Sequence, residues 1–211
     1  MEIHSGQQEF LRGYDISNLS SQDELHQEAI STNLDTDSPK ELLKTTPRIL
    51  SFLNEAQRMY SAVPIEMFEA GPQGVKLQGE TLEPGTPIIR MTRFCGLNPN
   101  APSPYVKPGP NGEDATVFVP RRWLLYDDHG NVTGCETPDN KHAGFLAFGC
   151  GLNIRDCPGR FYADVAMVYM VGMIMKEYSI KLEDGHPPVG RVMGLTESVD
   201  RELSVVLTKR K

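Results

Sequence analysis

A chain of 211 residues has room for one domain of ordinary size and enough length to bury a core. Lys plus Arg number 21 against 28 Asp plus Glu, a net charge of −7. That balance offers no basic surface to neutralise a phosphate backbone, so nucleic acid is not an expected partner. The longest apolar run, Val165 to Met175, is too short to cross a bilayer, and the opening MEIHSGQQEF lacks the cationic start and apolar centre of a secretion signal. As written, the chain reads as soluble and cytoplasmic. Its cysteines, Cys95, Cys135, Cys150 and Cys157, include no Cys-x-x-Cys pair, and scattered thiols in a reducing compartment are usually free.

Residues 1–45 read as a polar amino-terminal segment with one short helix, Gln22 to Ile30, followed by the polar stretch STNLDTDSPKE, which reads as a loop. From Thr46 the pattern sharpens. Thr46 can cap, Pro47 suits a first helical turn, and Ile49, Phe52, Leu53, Ala56, Met59 and Tyr60 recur at three- and four-residue steps, so an amphipathic helix is expected to end before Pro64. Extended segments follow at Gly74–Leu82 and Pro87–Phe94, joined by Glu83-Pro84-Gly85-Thr86 as a hairpin or short sheet. Residues 96 to 143 are dense in Pro, Gly, Asn and Asp and read as a meandering surface loop around the anchor VFVPRRWL. Phe161 to Tyr178 reads as a helix apolar nearly all round, hence buried. YSIKL, VGRVMGL and ELSVVLTKR close the chain as three strand candidates of a small antiparallel sheet.

Three features carry chemistry. In AFGCGLNIRDCPGR, Ala147 to Arg160, glycines, cysteines, arginines and a proline stand just ahead of the apolar helix. A thiol at the mouth of a helix meets the positive end of the dipole and unpaired amides, and Arg155 adds charge, so Cys157 is expected as a thiolate nucleophile or metal ligand. Equally open on these residues alone is a small buried Cys157 beside glycines that merely make a turn. The second feature, Glu55-Ala-Gln-Arg58, places a carboxylate and a guanidinium on one helical face, which by itself reads as a solvated pair. The third, Phe118-Val-Pro120-Arg-Arg122-Trp123, reads by itself as a packed loop anchor. The histidines His4, His26, His129, His142 and His186 show no spacing that suits zinc, and Cys150 with Cys157 lacks a second pair to complete a tetrahedron.

Taken together and in this order, Glu55-x-x-Arg58, Phe118-x-Pro120-x-Arg122-Trp123, and Phe148-Gly149-x-Gly151 with Arg155-x-Cys157-x-Gly159 resemble the carboxyl-terminal half of the cytochrome P-450 family, the haem-thiolate monooxygenases. The resemblance runs from about Gln22 to the end. It implies a mixed α and β fold, mainly α: a Glu-x-x-Arg helix, a small β-sheet, a meander, a haem-binding loop, a buried helix and a terminal β-hairpin, with residues 46–211 as the haem-side part. It also implies that Glu55, Arg58 and Arg122 form a buried charge triad of structural role. Phe148, Gly149, Gly151, Arg155, Cys157 and Gly159 then form the loop for haem b (iron protoporphyrin IX), with Cys157 the axial ligand and Arg155 reaching a propionate. No residue of the chain is assigned a catalytic proton-delivery role.

The implied function is insertion of one oxygen atom from dioxygen into an apolar small molecule, with electrons from an NAD(P)H-dependent reductase. If the chain is part of a longer anchored protein, the endoplasmic reticulum membrane surface is the implied location. Departures accompany the resemblance. Leu152, Asn153 and Ile154 stand between Gly151 and Arg155 where the family has one residue, an insertion of two. Ser61-Ala62 and Phe68 stand near the places of a Pro-Pro pair and of a basic residue for the second propionate, and Gly96-Leu97-Asn98-Pro99 stands for His-Arg-Asp-Pro. The half bearing the long central helix over the haem is lacking. A fragment or truncated member is therefore expected, the alternative being a non-catalytic remnant or interaction module that keeps the signature without activity.

Overall fold

The computed structural model describes residues 19–36, 38–98, 108–138, 145–149, 157–184, 191–193, 196–200 and 202–211. Its helices are α1 (Leu19–Ser31), α2 (Pro39–Thr45), α3 (Pro47–Met59), α4 (Thr92–Leu97) and α5 (Arg160–Glu177). Four of them share one apolar core. Leu25 and Ala29 of α1, Leu34 just after it, Leu42 of α2, Ile49, Leu50 and Leu53 of α3, and Val168 and Met175 of α5 bury against one another. Residues 19–45 thus pack into the same core as the helices that follow.

Helix α2 starts inside the stretch expected to be a loop. Ser38 accepts the Glu41 N–H at its hydroxyl and Pro39 opens the first turn, so the local capping chemistry suffices to start a helix there. Helix α3 begins where Thr46-Pro47 places it, but Thr46 is not its side-chain cap. The Thr46 hydroxyl donates back to the Leu42 carbonyl at 2.7 Å. Glu28 of α1 takes its place, accepting the N–H groups of Arg48 at 2.9 Å and Ile49 at 2.8 Å. A carboxylate at that end also answers the helix dipole.

Burial pushes the Glu28 carboxyl above its ordinary value, against the two backbone N–H bonds and the charge of Arg48. A raised folded-state pKa favours the protonated form in the fold. The stability this confers is fully present below the unfolded value of about 4.3 and is lost as pH rises through the folded value. Wild type is therefore expected to exceed Glu28→Gln in stability by more at pH 4 than at pH 7, as read by urea unfolding of both proteins at each pH.

Helix α1 also holds the end of α5. Its Gln22 side chain bonds Ile180 twice, donating to the carbonyl at 2.8 Å and accepting the N–H at 2.9 Å, as a neighbouring strand would. A ring nitrogen of His26 stands 2.9 Å from the Met175 carbonyl.

The strands form antiparallel pairs rather than one sheet. β1 (Glu66–Glu69) pairs with β4 (Pro87–Arg90), with Phe68 opposite Ile88 and Glu66 opposite Arg90. Within that pair nests the hairpin of β2 (Val75–Leu77) and β3 (Glu80–Leu82), closed by Gln78 and Gly79 at φ 50° and 91°, the left-handed turn that suits twisted strands. The expected pairing across Pro84-Gly85 is corrected accordingly. That turn is present, with Gly85 at φ 78°, but it joins β3 to β4, whose partners are β2 and the unanticipated β1. Phe94 belongs to α4, not to a strand.

The meander contains a 3-10 turn at Pro120–Trp123 and a hairpin of β5 (Leu124–Tyr126) with β6 (Val132–Cys135). At the carboxyl end β7 (Tyr178–Leu182) pairs with β10 (Val205–Lys209), and β8 (Arg191–Met193) with β9 (Glu197–Val199), two pairs in place of the expected three-stranded sheet.

Helix α5 forms as expected but is covered on one face only. Val168, Gly172 and Met175 are buried, and Met167 and Met173 pack on the core beside them. The opposite face leaves Tyr162 79% and Met170 61% exposed. An apolar helix needs partners all round to be buried, and the described residues supply them on one side.

Candidate functional site

Glu55 lies in the middle of α3, three residues before Arg58, so the two side chains leave the same face of the helix. The carboxylate is fully buried and accepts five hydrogen bonds: from Arg58 Nε and Nη2 at 2.8 and 2.7 Å, from the Val119 N–H at 2.8 Å, from Arg122 Nε at 2.9 Å and from Trp123 Nε1 at 2.9 Å. The 3-10 turn brings Arg122 and Trp123 to it from the meander. Upstream, the Asp114 carboxylate accepts the Thr116 N–H and hydroxyl at 2.7 and 2.6 Å. That turn presents carbonyls to the guanidiniums: Ala115 and Val117 accept from Arg58, and Asp114 and Val117 accept from Arg122. Arg58 also donates to the Gly96 carbonyl at 2.5 Å, which ties in α4.

Two guanidiniums face one carboxylate here with no access to water. Burial holds Arg122 below its ordinary pKa, the charge of Arg58 pushing the same way and Glu55 resisting. The reading of Glu55 and Arg58 as a solvated pair is thereby corrected. Spacing along a helix does not reveal what covers it, and here a segment more than sixty residues downstream does.

The cysteine loop stands on the other side of Trp123. The indole meets Phe145 edge to face at 5.6 Å, and the Arg160 guanidinium lies over Phe145 at 5.8 Å and over Phe148 at 5.4 Å. The Phe148 carbonyl accepts the Cys157 N–H at 2.8 Å, and the Cys157 carbonyl accepts the Arg160 N–H at 3.1 Å. Phe148 and Cys157 are therefore neighbours across the mouth of the loop, and the two inserted residues fall between these anchors. Gly149 takes φ 109°, a conformation only glycine enters without strain. Gly159 is the residue before α5, whose first turn has no side-chain cap, and a Cβ there would stand 3.8 Å from the Cys157 sulfur. Cys157 is exposed, and among the described residues nothing hydrogen-bonds its sulfur.

Gly151, Arg155 and Cys150 lie outside the described residues. Phe68 lies under the Arg90 guanidinium, 4.9 Å from its ring, and Arg90 also pairs with Glu66. Sequence reasoning missed Trp123 as a donor to Glu55, and it missed Phe145 and Arg160 altogether. The indole was the available signal, since a buried tryptophan N–H requires an acceptor. Among the described residues no cluster of His, Cys, Asp or Glu could cage a metal ion, and no helix is long and apolar enough to cross a membrane.

The family model for cytochrome P-450 matches residues 16–197. The chain is 26% identical over 209 residues to cytochrome P-450 monooxygenase adrA of Penicillium rubens, covering 95% of this chain and 38% of that protein. It is 29% identical over 202 residues to cytochrome P-450 monooxygenase gliF of Aspergillus fumigatus, covering 92% and 38%. Its fold matches a crystal structure of the cytochrome P-450DA heme domain with a TM-score of 0.70 at 15% identity, covering 96% of this chain and 40% of that one. The chain thus spans well under half the length of these relatives.

Proposed function

The chain belongs to the cytochrome P-450 family, and from that premise we propose that residues 46–211, with 19–45 packed upon them, are the haem-side part of a haem-thiolate monooxygenase whose axial ligand is Cys157. The observation that carries this is the exposed sulfur of Cys157 at the mouth of α5, its backbone fixed to Phe148 and its thiol without a hydrogen bond from the described residues. The donor set fits an iron porphyrin, which would ask of the protein a soft sulfur donor and a backbone that lets it approach. Gly149 and Gly159 keep that backbone bare on either side of the loop.

When bound, an iron porphyrin with a cysteine thiolate supplies scission of dioxygen's O–O bond. The chain's own residues hold and orient. Phe148, Gly149, Gly151 and Gly159 would frame the ring and Arg155 would bind a propionate, while Phe68 stands near the place of the family's second basic residue, under an Arg90 guanidinium already paired with Glu66. Glu55, Arg58 and Arg122 lock the meander to α3 behind the loop. The substrate class is an apolar small molecule, and the electron donor an NAD(P)H-dependent reductase.

A second reading is a remnant that keeps the signature without binding haem; the face of α5 that the described residues leave exposed, at Tyr162 and Met170, is the observation it draws on. One titration separates the two. The chain is mixed with haemin, reduced and exposed to carbon monoxide. A strongly red-shifted Soret band, abolished in Cys157→Ser and kept in Cys150→Ser, is the expected result. Behaviour of free haemin favours the remnant, and loss of the band in Cys150→Ser instead assigns the ligand to Cys150 and overturns the choice of Cys157.

A further inference from the structure

Cys157 closes a loop whose two ends meet on a single residue. The Arg160 N–H bonds the Cys157 carbonyl at 3.1 Å, while its side chain reaches back to the loop's beginning, lying over the Phe148 ring at 5.4 Å. We propose that Arg160 is the positioning residue of the cysteine loop, acting on Cys157 through Phe148. The geometry stands by itself; its consequence for an axial ligand rests on the haem reading above.

Four contacts fix the guanidinium. Nη2 donates to the Pro138 carbonyl at 2.7 Å, Nε stands 3.8 Å from the Asp164 carboxylate, and the two rings of Phe145 and Phe148 lie against the cation. Phe145 is itself held by Trp123, whose indole N–H is bound to Glu55. A chain of contacts thus runs from the buried carboxylate to the residue whose carbonyl holds the Cys157 N–H. The planar guanidinium suits this place because it can stack on aromatic faces while donating in its own plane, which an ammonium cannot do. Freed of the cation, the Phe148 ring loses its hold on α5, and the hydrogen bond to Cys157 loses its support.

The test is the rate at which iodoacetamide alkylates Cys157 in the haem-free chain, resolved by peptide mass spectrometry, with Cys95 in α4 as an internal reference. Arg160→Ala is expected to alter the Cys157 rate several-fold and leave the Cys95 rate and the far-ultraviolet circular dichroism unchanged. Arg160→Lys is expected to recover part of the change. An unchanged Cys157 rate in Arg160→Ala overturns the proposal. So does full recovery by lysine, which would assign the effect to charge alone, and so does an equal change at Cys95, which would make it global. With haemin and carbon monoxide, Arg160→Ala is expected to lose part of the red-shifted band and Arg160→Lys to regain some of it. Absence of that band in wild type counts against the haem reading, while the alkylation rates still decide the role of Arg160.

Discussion

Glu55→Ala is expected to lower the unfolding free energy by about 3–5 kcal/mol, the cost of breaking a buried ion pair from one side. The wild-type carboxylate takes five donors and pairs with two buried guanidiniums. Without it, Arg58 and Arg122 keep their carbonyl partners, but two positive charges face each other out of water. Two N–H groups, of Val119 and Trp123, lose their acceptor as well, and each unsatisfied buried donor costs about 1–3 kcal/mol. Set against a net stability of about 5–15 kcal/mol for a whole domain, that loss is a large share of what holds the fold. Glu55→Gln, which keeps an acceptor oxygen but not the charge, is expected to fall between. The chain has one tryptophan, and its indole N–H is bound to this carboxylate, so fluorescence in urea reads the cluster directly. A loss under about 1 kcal/mol with unchanged emission would mean that the cluster is as weak as an exposed pair.

The same residues show what the amino-acid sequence could and could not disclose. Helix α3 was legible because its signals are local: Thr46-Pro47 at the start and apolar residues at helical spacing. Its true cap was not, because Glu28 reaches it from another helix twenty residues earlier. Helix α2 was overlooked although Ser38, Pro39 and Glu41 spell a start signal, since the polar run around them resembles a loop in composition. The hairpin of β5 and β6 was hidden for the opposite reason: its strands are three and four residues long, too short for an alternating pattern to register.

At the site, motif order singled out Glu55, Arg58, Arg122 and Cys157, and the structure brings the two guanidiniums to the Glu55 carboxylate. What joins that cluster to the cysteine was illegible. The contacts of Trp123 with Phe145, and of Arg160 with Phe145 and Phe148, depend on side chains meeting across separate loops, which no periodicity encodes.

Gly172→Leu is expected to destabilise the chain by about 1–3 kcal/mol through overpacking. Gly172 is buried on the covered face of α5, opposite Leu34, and even a bare Cβ there would stand 3.0 and 3.1 Å from the two Leu34 methyls and 3.6 Å from Ile49. Glycine in a helix interior costs about 1 kcal/mol relative to alanine. Its presence therefore marks a close approach that sets how deeply α5, and with it the cysteine at its mouth, sits against α1 and α3. Leu34→Ala alone is expected to cost about 2–5 kcal/mol by opening a cavity in the core. The two changes are reciprocal in volume, so the double variant should be markedly more stable than the sum of the single losses predicts, with a coupling of about 0.5–3 kcal/mol for residues in contact. Urea unfolding of the four proteins measures it. Strict additivity would show that α5 shifts away from Leu34 to admit the larger side chain, in which case the depth of the helix is set elsewhere.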